Sequence, residues 1–356
     1  MLSARKAVQT LPTYHPPLAA RTGLRLDFNE NTLGCSPKVA EKLQEISRDA
    51  LACYPERGSV EAQVAAFLGR SVDDVLLTNG VDEAIHLLCE TYLEPGDEVL
   101  IVVPTFAMYE IYARATGATV LSIPAGADFV FPEGAVRAAI SPRTRLIAVA
   151  NPNNPTGTVV STSFLLELAK VAPHAALLVD EAYFEFHGES VMSQVGAIDN
   201  LFVARTFSKA YGLAGLRVGI LAGERSQLTM VRRVSSPYNV NAAALACLPE
   251  AIADTEYLAR YVAEAVESRK RLEQFFAAEK IPYWPSRANF VLARFGELRV
   301  PFVQAMKDRG ILVRDRNSDY GCEGCVRITA GTAAHTDLLF SAMTDVLREL
   351  RVGEPR

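Results

Sequence analysis

The strongest constraint on the fold is a regular alternation of two kinds of segment between residues 75 and 223. Short apolar runs lie at 75–78, 99–103, 119–123, 146–150, 177–179, 201–204 and 218–222. Longer segments such as 82–92, 109–116 and 162–171 separate them and place apolar residues every three or four positions. The first pattern is typical of strands buried on both faces, and the second of the helices that connect parallel strands. Together they predict an α/β fold with a mostly parallel seven-stranded sheet.

A different pattern follows this region. A long helical stretch at 255–280 leads into short apolar runs at 289–293, 311–314 and 326–329, with helices at 301–309 and 336–351. This predicts a smaller α+β domain, and a chain of 356 residues exceeds the length at which one core usually divides. We expect an N-terminal arm that forms part of the small domain at 1–38, a large domain at 39–245 and a small C-terminal domain at 246–356. The first 35 residues, rich in Pro and Arg, predict irregular structure.

Composition narrows the class of protein. The net charge is −5, and no block of like charges suggests a nucleic-acid-binding arm. The six cysteines are scattered along a large chain, which favours reduced thiols. No secretory signal precedes the first helical pattern, and no apolar stretch approaches the roughly 20 residues that span a bilayer. We therefore expect a cytoplasmic protein.

Polar chemistry is concentrated at 205–219 (RTFSKAYGLAGLRVG), directly after the apolar run at 201–204. Thr206 and Ser208 offer hydroxyl groups, and Arg217 offers a forked guanidinium. Lys209 places a primary amine between them, so the segment can hold a phosphate beside an amine that forms imines. Pyridoxal phosphate requires that combination. The alternative is a solvent-exposed lysine followed by a glycine-rich turn.

A carboxylate ends another apolar run, at 177–183 (LLVDEAY). Asp180 would be costly to bury without a cationic partner, and a protonated pyridine nitrogen supplies one. Tyr183 could bind the hydroxyl group of the same ring. The competing interpretation is Mg²⁺ ligation, but the sequence lacks the P-loop that accompanies such an aspartate. We expect no metal site, because the pair Cys322 and Cys325 has no second pair to complete it.

Three loops could complete a cofactor site. In the turn 151–157 (NPNNPTG), Asn154 could direct its amide at the ring oxygen. The backbone N–H groups of Gly80, Val81 and Asp82 open a predicted helix and favour an anion. Phe106, after the run at 99–103, could stack on the pyridine. The alternatives are an ordinary Asn-Pro loop, a plain helix cap and a core aromatic residue.

In their order along the chain, these motifs resemble the fold-type I pyridoxal-phosphate-dependent aminotransferases, and the resemblance covers the whole chain. The motifs are NGVDE (79–83), PTF (104–106), NNPTG (153–157), DEAY (180–183), SK (208–209) and GLR (215–217). Three further stretches resemble the histidinol-phosphate aminotransferase branch: LDFNEN (26–31), GILVRDR (310–316) and CVRITAGT (325–332). Two departures from the branch are Phe106, where tyrosine is common, and Thr32, where proline is usual.

The resemblance implies a role for each matching residue. Lys209 would be the catalytic residue that bonds the cofactor; Asp180 would pair with the pyridine nitrogen, and Tyr183 and Asn154 would hold the ring oxygen. Phosphate would be bound by Thr206, Ser208, Arg217 and the amides near Gly80, Val81 and Asp82. Tyr54 would reach across a homodimer to the phosphate of the partner's cofactor.

For the substrate, the resemblance implies that Arg327 binds an α-carboxylate and Arg314 a distal phosphate. Tyr14 would close over the substrate, and Asn29 would belong to the same site. The implied reaction is amino transfer between histidinol phosphate and 2-oxoglutarate. The alternatives are an aromatic amino-acid aminotransferase and a decarboxylase of a phosphorylated amino acid such as phosphothreonine. Arg314 could instead form a surface salt bridge with Asp315 or Asp319.

Overall fold

A computed structural model describes residues 2–13 and 22–352 of the chain. The strands are β1 Leu24–Leu26, β2 Val75–Thr78, β3 Glu98–Val103, β4 Thr119–Pro124, β5 Thr144–Ala150, β6 Ala176–Asp180, β7 Leu201–Thr206, β8 Gly219–Ala222, β9 Tyr283–Trp284, β10 Phe290–Arg294, β11 Ile311–Asp315 and β12 Cys325–Thr329. The helices are α1 Lys6–Gln9, α2 Pro37–Gln44, α3 Arg48–Ala52, α4 Gly58–Phe67, α5 Gly80–Tyr92, α6 Met108–Thr116, α7 Glu133–Ala139, α8 Thr162–Val171, α9 Phe184–His187, α10 Arg225–Arg232, α11 Ala242–Ala253, α12 Thr255–Ala278, α13 Arg299–Asp308 and α14 Ala333–Val352. None of the described helices is long and apolar enough to cross a membrane.

The larger sheet has seven strands in the order β2-β8-β7-β6-β5-β3-β4. Strand β8 is antiparallel to both of its neighbours, and the other pairs are parallel, so the predicted mostly parallel sheet is confirmed. Successive residues of β6 face opposite layers: Leu178 packs in one apolar cluster, while Leu177 and Val179 pack in another. Because both faces are covered, the strands read as continuous apolar runs rather than as alternating ones.

The smaller sheet has the order β1-β11-β12-β10-β9. The prediction of irregular structure for the first 35 residues is wrong at the short helix α1 and at β1. Strand β1 pairs in parallel with β11 and buries Leu26 beside Val313. Only three residues form this strand, too few for an alternation to stand out from the surrounding sequence. The proposed domain limits at residues 38 and 245 remain a prediction.

The two sheets place several loop segments at one edge of the larger sheet. Strands β5, β6 and β7 end side by side, because Ala150 is in register with Asp180 and Asp180 with Ala204. Strand β2 ends at Thr78, opposite Gly219 of β8, so the start of α5 lies beside the segment that precedes β8. Sites in parallel sheets form at this carboxyl edge.

Candidate active site

A cavity of about 240 Å³ opens at the carboxyl edge of the larger sheet. All residues predicted to hold the cofactor line it, except Gly80 and Tyr54. They are Val81, Asp82, Phe106, Asn154, Asp180, Tyr183, Thr206, Ser208, Lys209 and Arg217. The structure thus brings together residues that are spread over more than a third of the chain, from Val81 to Arg217.

Lys209 lies in the wall of this cavity. Its Nζ donates a hydrogen bond of 2.9 Å to the Phe28 carbonyl oxygen. Burial, followed by the positive charge of Arg327, lowers the pKa of the amine to about 8. The alternative of a solvent-exposed surface lysine is wrong. A lysine with this pKa has a sizeable neutral fraction near neutral pH, which makes it a usable nucleophile and base.

One part of the cavity wall contains a buried carboxylate, that of Asp180. Asp180 accepts a 2.5 Å hydrogen bond from the Tyr109 hydroxyl and a 3.0 Å bond from the Ala182 amide. Both donors are neutral, and burial raises the pKa of Asp180 to about 6. The sequence reasoning missed Tyr109, which is 1% exposed. Tyr109 lies in the first turn of α6, three residues after Phe106. Its spacing from Phe106 was the available signal, but a core tyrosine has the same pattern.

Another part of the cavity wall can bind an anion. Helix α5 begins there, and the Ser208 hydroxyl is buried without a hydrogen-bond partner among the described residues. Arg217 Nη2 lies 3.0 Å from the Asp82 carboxylate, so Asp82 contributes a side chain as well as an amide. Gly80 adopts φ +74°, and a Cβ there would lie 2.6 Å from Arg217 Nη2. A larger residue at this position would force the guanidinium to move and would strain the backbone.

Tyr183 and Asn154, both predicted to bind the ring oxygen, accept hydrogen bonds from residues of the smaller sheet or of the segment after β1. The Tyr183 hydroxyl accepts a 2.9 Å hydrogen bond from Asn29 Nδ2, and Asn29 in turn is bonded to Thr329. Asn154 Oδ1 accepts a hydrogen bond from Arg327 Nη1. The Phe106 ring meets the Tyr109 ring edge-on, with 5.8 Å between their centroids.

A second cavity of about 500 Å³ shares Lys209, Asn154 and Tyr183 with the first. Arg314 of β11 and Arg327 of β12 lie opposite each other on adjacent antiparallel strands, and both line this cavity. Arg327 is buried, and burial together with the charge of Arg316 lowers its pKa to about 9.

Two predicted contacts with this second cavity have different outcomes. Arg314 lies over the Phe28 ring, with its guanidinium carbon 5.1 Å from the ring centroid. The aspartates named as its alternative partners bind other arginines: Asp315 pairs with Arg299, and Asp319 with Arg316. Tyr14 lies outside the described residues, although the segment just before it, 10–13, lines this cavity.

Tyr54 lies at the surface, away from both cavities. Its side chain is 77% exposed and stacks on Tyr238 with 4.3 Å between ring centroids. Its predicted reach into a partner subunit stays a prediction.

A family model described as aminotransferase class I and II matches residues 21–343 of the chain. The chain belongs to this aminotransferase family. It is 38% identical to the histidinol-phosphate aminotransferase of Paracoccus denitrificans, over 87% of this chain and 86% of that protein. It is 35% identical to the one of Roseiflexus castenholzii, over 97% of each protein.

Solved structures agree with this membership. The histidinol-phosphate aminotransferase of Sinorhizobium meliloti, in complex with pyridoxal-5′-phosphate, superposes with a TM-score of 0.88 at 25% identity, over 97% of each chain. The L-threonine-O-3-phosphate decarboxylase of Porphyromonas gingivalis has a TM-score of 0.78 at 23% identity, and that likeness concerns the fold alone. The predicted fold of this aminotransferase is confirmed.

Proposed function

We propose that the protein is a pyridoxal-phosphate-dependent aminotransferase that exchanges an amino group between histidinol phosphate and 2-oxoglutarate, giving imidazole acetol phosphate and glutamate. The observation that carries the substrate assignment is the set of arginines in the wall of the second cavity, next to Lys209. Relatives named for histidinol phosphate, matched over most of their length, support it.

The donor set of the first cavity fits the cofactor at each end. Within the described part of the chain, Asp180 accepts hydrogen bonds only from neutral groups where a pyridinium would supply a cation, and the Ser208 hydroxyl lacks a partner where a phosphate would supply one. When bound, pyridoxal phosphate stabilises the electron pair left on a substrate carbon after a proton is removed. Asn154 and Tyr183 would hold the ring oxygen, and Phe106 would cover one face of the ring.

Lys209 has two tasks in this proposal. Its neutral amine would hold the cofactor through the aldehyde carbon, with loss of water. Once the amine of the substrate had taken its place, the freed Nζ would carry the proton that leaves the substrate carbon. The Phe28 carbonyl, 2.9 Å from Nζ, keeps the amine in the cavity between these steps. Asp180 would pair with the pyridine nitrogen and favour its protonated form.

The second cavity selects the substrate. Arginines bind phosphate and carboxylate groups through paired N–H donors. An aromatic amino acid carries one carboxylate, whereas histidinol phosphate carries a phosphate that approaches two negative charges at neutral pH. Several arginines in one wall favour the phosphate over a single carboxylate. Arg327 and Arg314 would both contact the phosphate of histidinol phosphate, and Arg327 would bind the α-carboxylate when 2-oxoglutarate occupies the site.

We also propose a homodimer in which Tyr54 reaches the phosphate site of the partner. Support comes from the apolar groups around it that are exposed in a single chain, since Leu51 is 64% and Tyr238 55% exposed. An exposed apolar patch of this kind is typical of an interface. A cytoplasmic location is supported by the six free cysteines.

The test is a substrate panel with 2-oxoglutarate as acceptor: histidinol phosphate, phenylalanine, tyrosine and phosphothreonine. We expect kcat/KM to be highest for histidinol phosphate. Arg314→Ala should lower that value by about tenfold to a hundredfold, since a hydrogen bond to a charged group contributes about 1.5–3 kcal/mol. Arg348→Ala, at an exposed ion pair on α14, is the control. Preference for phenylalanine, or carbon dioxide release from phosphothreonine, would refute the assignment.

A further inference from the structure

A third arginine, Arg316, lies beside the two that the motifs identified. It follows β11 directly, and its amide donates a 3.0 Å hydrogen bond to the Cys325 carbonyl, which continues the pairing with β12. The side chain is 14% exposed and lines the second cavity. Its guanidinium forms an ion pair with Asp319, three residues further along.

These charged groups act on one another. Among charges, that of Arg316 has the largest effect on the pKa of Arg327 and lowers it. Arg316, Arg327 and Arg314 all lower the pKa of Asp319, although burial raises it overall. The geometry agrees with these effects: all four side chains line the second cavity, Arg314 is in register with Arg327, and Arg316 is paired with Asp319. The three guanidiniums and the one carboxylate therefore form a single cluster.

This cluster carries an excess of positive charge. Among the described residues, the cluster contains three arginines and one aspartate. The other carboxylates of the wall, Glu110 and Asp315, form ion pairs with Arg114 and Arg299. In addition, the Nε atoms of Arg316 and Arg327 are buried without hydrogen-bond partners among the described residues. Clustered cations with unused donors are stabilised by an anion of matching charge.

We propose that Arg316 is a specificity-determining residue that binds the dianionic group of the substrate, and that Asp319 holds its guanidinium in place and limits the affinity of the site for dianions. This inference rests on the proposed function, because it assigns a further residue to the same substrate site. Arg316 ends the motif GILVRDR, but the resemblance assigned it no role, and Asp319 lies outside the motifs of the family branch.

The proposal makes predictions of opposite sign for the two partners of one ion pair. Arg316→Gln removes a positive charge and its donors, so the site should bind dianions more weakly. Asp319→Asn removes the opposing negative charge but keeps an oxygen that can accept a hydrogen bond from Arg316. The site should then bind dianions more tightly. If the pair served only to hold the 316–325 loop, both substitutions would weaken binding.

The experiment measures the dissociation constant of inorganic phosphate for the holoenzyme by calorimetry, so that the cofactor phosphate site is already filled. We expect Arg316→Gln to raise this constant about tenfold and Asp319→Asn to lower it several-fold. KM for histidinol phosphate should follow in the same directions, with a smaller change in kcat. Arg316→Lys, which keeps the charge, should recover part of the affinity.

The ion pair Arg348 and Asp345 on α14 provides matched controls, because it has the same spacing and is exposed. Arg348→Gln and Asp345→Asn should leave the phosphate constant unchanged. Melting temperatures identify any variant that is poorly folded, and in that case the remaining variants of the set decide the outcome.

Two results would overturn the inference: weaker phosphate binding in both Arg316→Gln and Asp319→Asn, or no change in either. The proposed function fails separately. If the wild-type enzyme does not turn over histidinol phosphate while the two constants shift in opposite directions, the anion site stands and the substrate is another dianion. If histidinol phosphate is the substrate and the constants do not shift, the role of Arg316 is refuted.

Discussion

Asp180→Asn should stabilise the cofactor-free protein at neutral pH. The carboxylate is 5% exposed, and burial raises its pKa from 3.8 to about 6. Each pKa unit corresponds to about 1.4 kcal/mol, so ionising this group inside the folded chain lowers the free energy of unfolding by about 3 kcal/mol above pH 6. An asparagine keeps both contacts, because its oxygen can accept from Ala182 and its NH₂ group can donate to the Tyr109 hydroxyl.

The effect of pH on this difference has a definite sign. The folded-state pKa lies above the unfolded value, so folding favours the protonated acid and the penalty is complete only above the folded pKa. As the pH falls from about 6 through 3.8, the penalty disappears. Asp180→Asn should therefore be more stable than wild type by about 3 kcal/mol at about pH 7.5, and the advantage should shrink steadily toward about pH 4.5.

Urea unfolding of both proteins, freed of cofactor and at one fixed concentration, measures this difference. Comparing the two proteins at each pH cancels other titrating groups, including Glu185, whose pKa burial raises to about 7. With the cofactor added the order should reverse, because asparagine cannot form an ion pair with a pyridinium. An Asp180→Asn variant that is less stable than wild type without cofactor at both pH values would refute the reasoning.

Three further predictions concern the same cavity. The cofactor-free protein should take up pyridoxal phosphate faster as the pH rises, and the rate should level off above about pH 8. Burial and Arg327 lower the pKa of the Lys209 amine to about 8. Absorbance stopped-flow measures this rate, and an inflection near the ordinary pKa of lysine would contradict the prediction. Gly80→Ala should weaken cofactor binding about tenfold, because the added Cβ would approach Arg217 Nη2 and φ is positive at this position. Gly134→Ala is the control, because open space surrounds that residue. Fluorescence titration measures the cofactor affinity of both variants, and equal affinities would contradict the prediction. Tyr109→Phe removes the hydroxyl that donates to Asp180, so it should raise the pKa of Asp180 further and destabilise the protein by about 1–3 kcal/mol. Urea unfolding measures this loss, with Tyr112→Phe as the control. Equal stability of the two variants would contradict the prediction.

The sequence was sufficient for the larger sheet and for most residues of the first cavity. Asp180 and Thr206 end apolar strands, and Lys209 follows three residues later, so parallel topology alone places them at one edge. The short motifs carry this information because each spans a strand end and the loop after it.

Other features depend on contacts that no local pattern records. Arg327 meets Asn154 across 173 residues, and β1 is recognisable only by its pairing with β11. Arg316 enters the second cavity because the chain turns back between β11 and β12, which depends on how that loop closes. Tyr109 has the spacing of an ordinary core residue. The sequence did not predict these features fully, because each depends on contacts between residues that are far apart in the chain.

The segment after β1 links the two sheets through successive residues. Arg327 Nη2 donates to the Asp27 carbonyl, Lys209 Nζ to the Phe28 carbonyl, and the Asn29 side chain bridges Tyr183 and Thr329. Two residues on, Asn31 Nδ2 donates to the Ala210 carbonyl. Because the segment is bonded on both sides, the smaller sheet cannot shift relative to the larger one without displacing the groups that hold the lysine and the tyrosine. A displacement of one sheet against the other would therefore break the hydrogen bonds of Lys209, Tyr183 and Arg327 together, so the amine and the arginine keep a fixed relative position while these bonds remain.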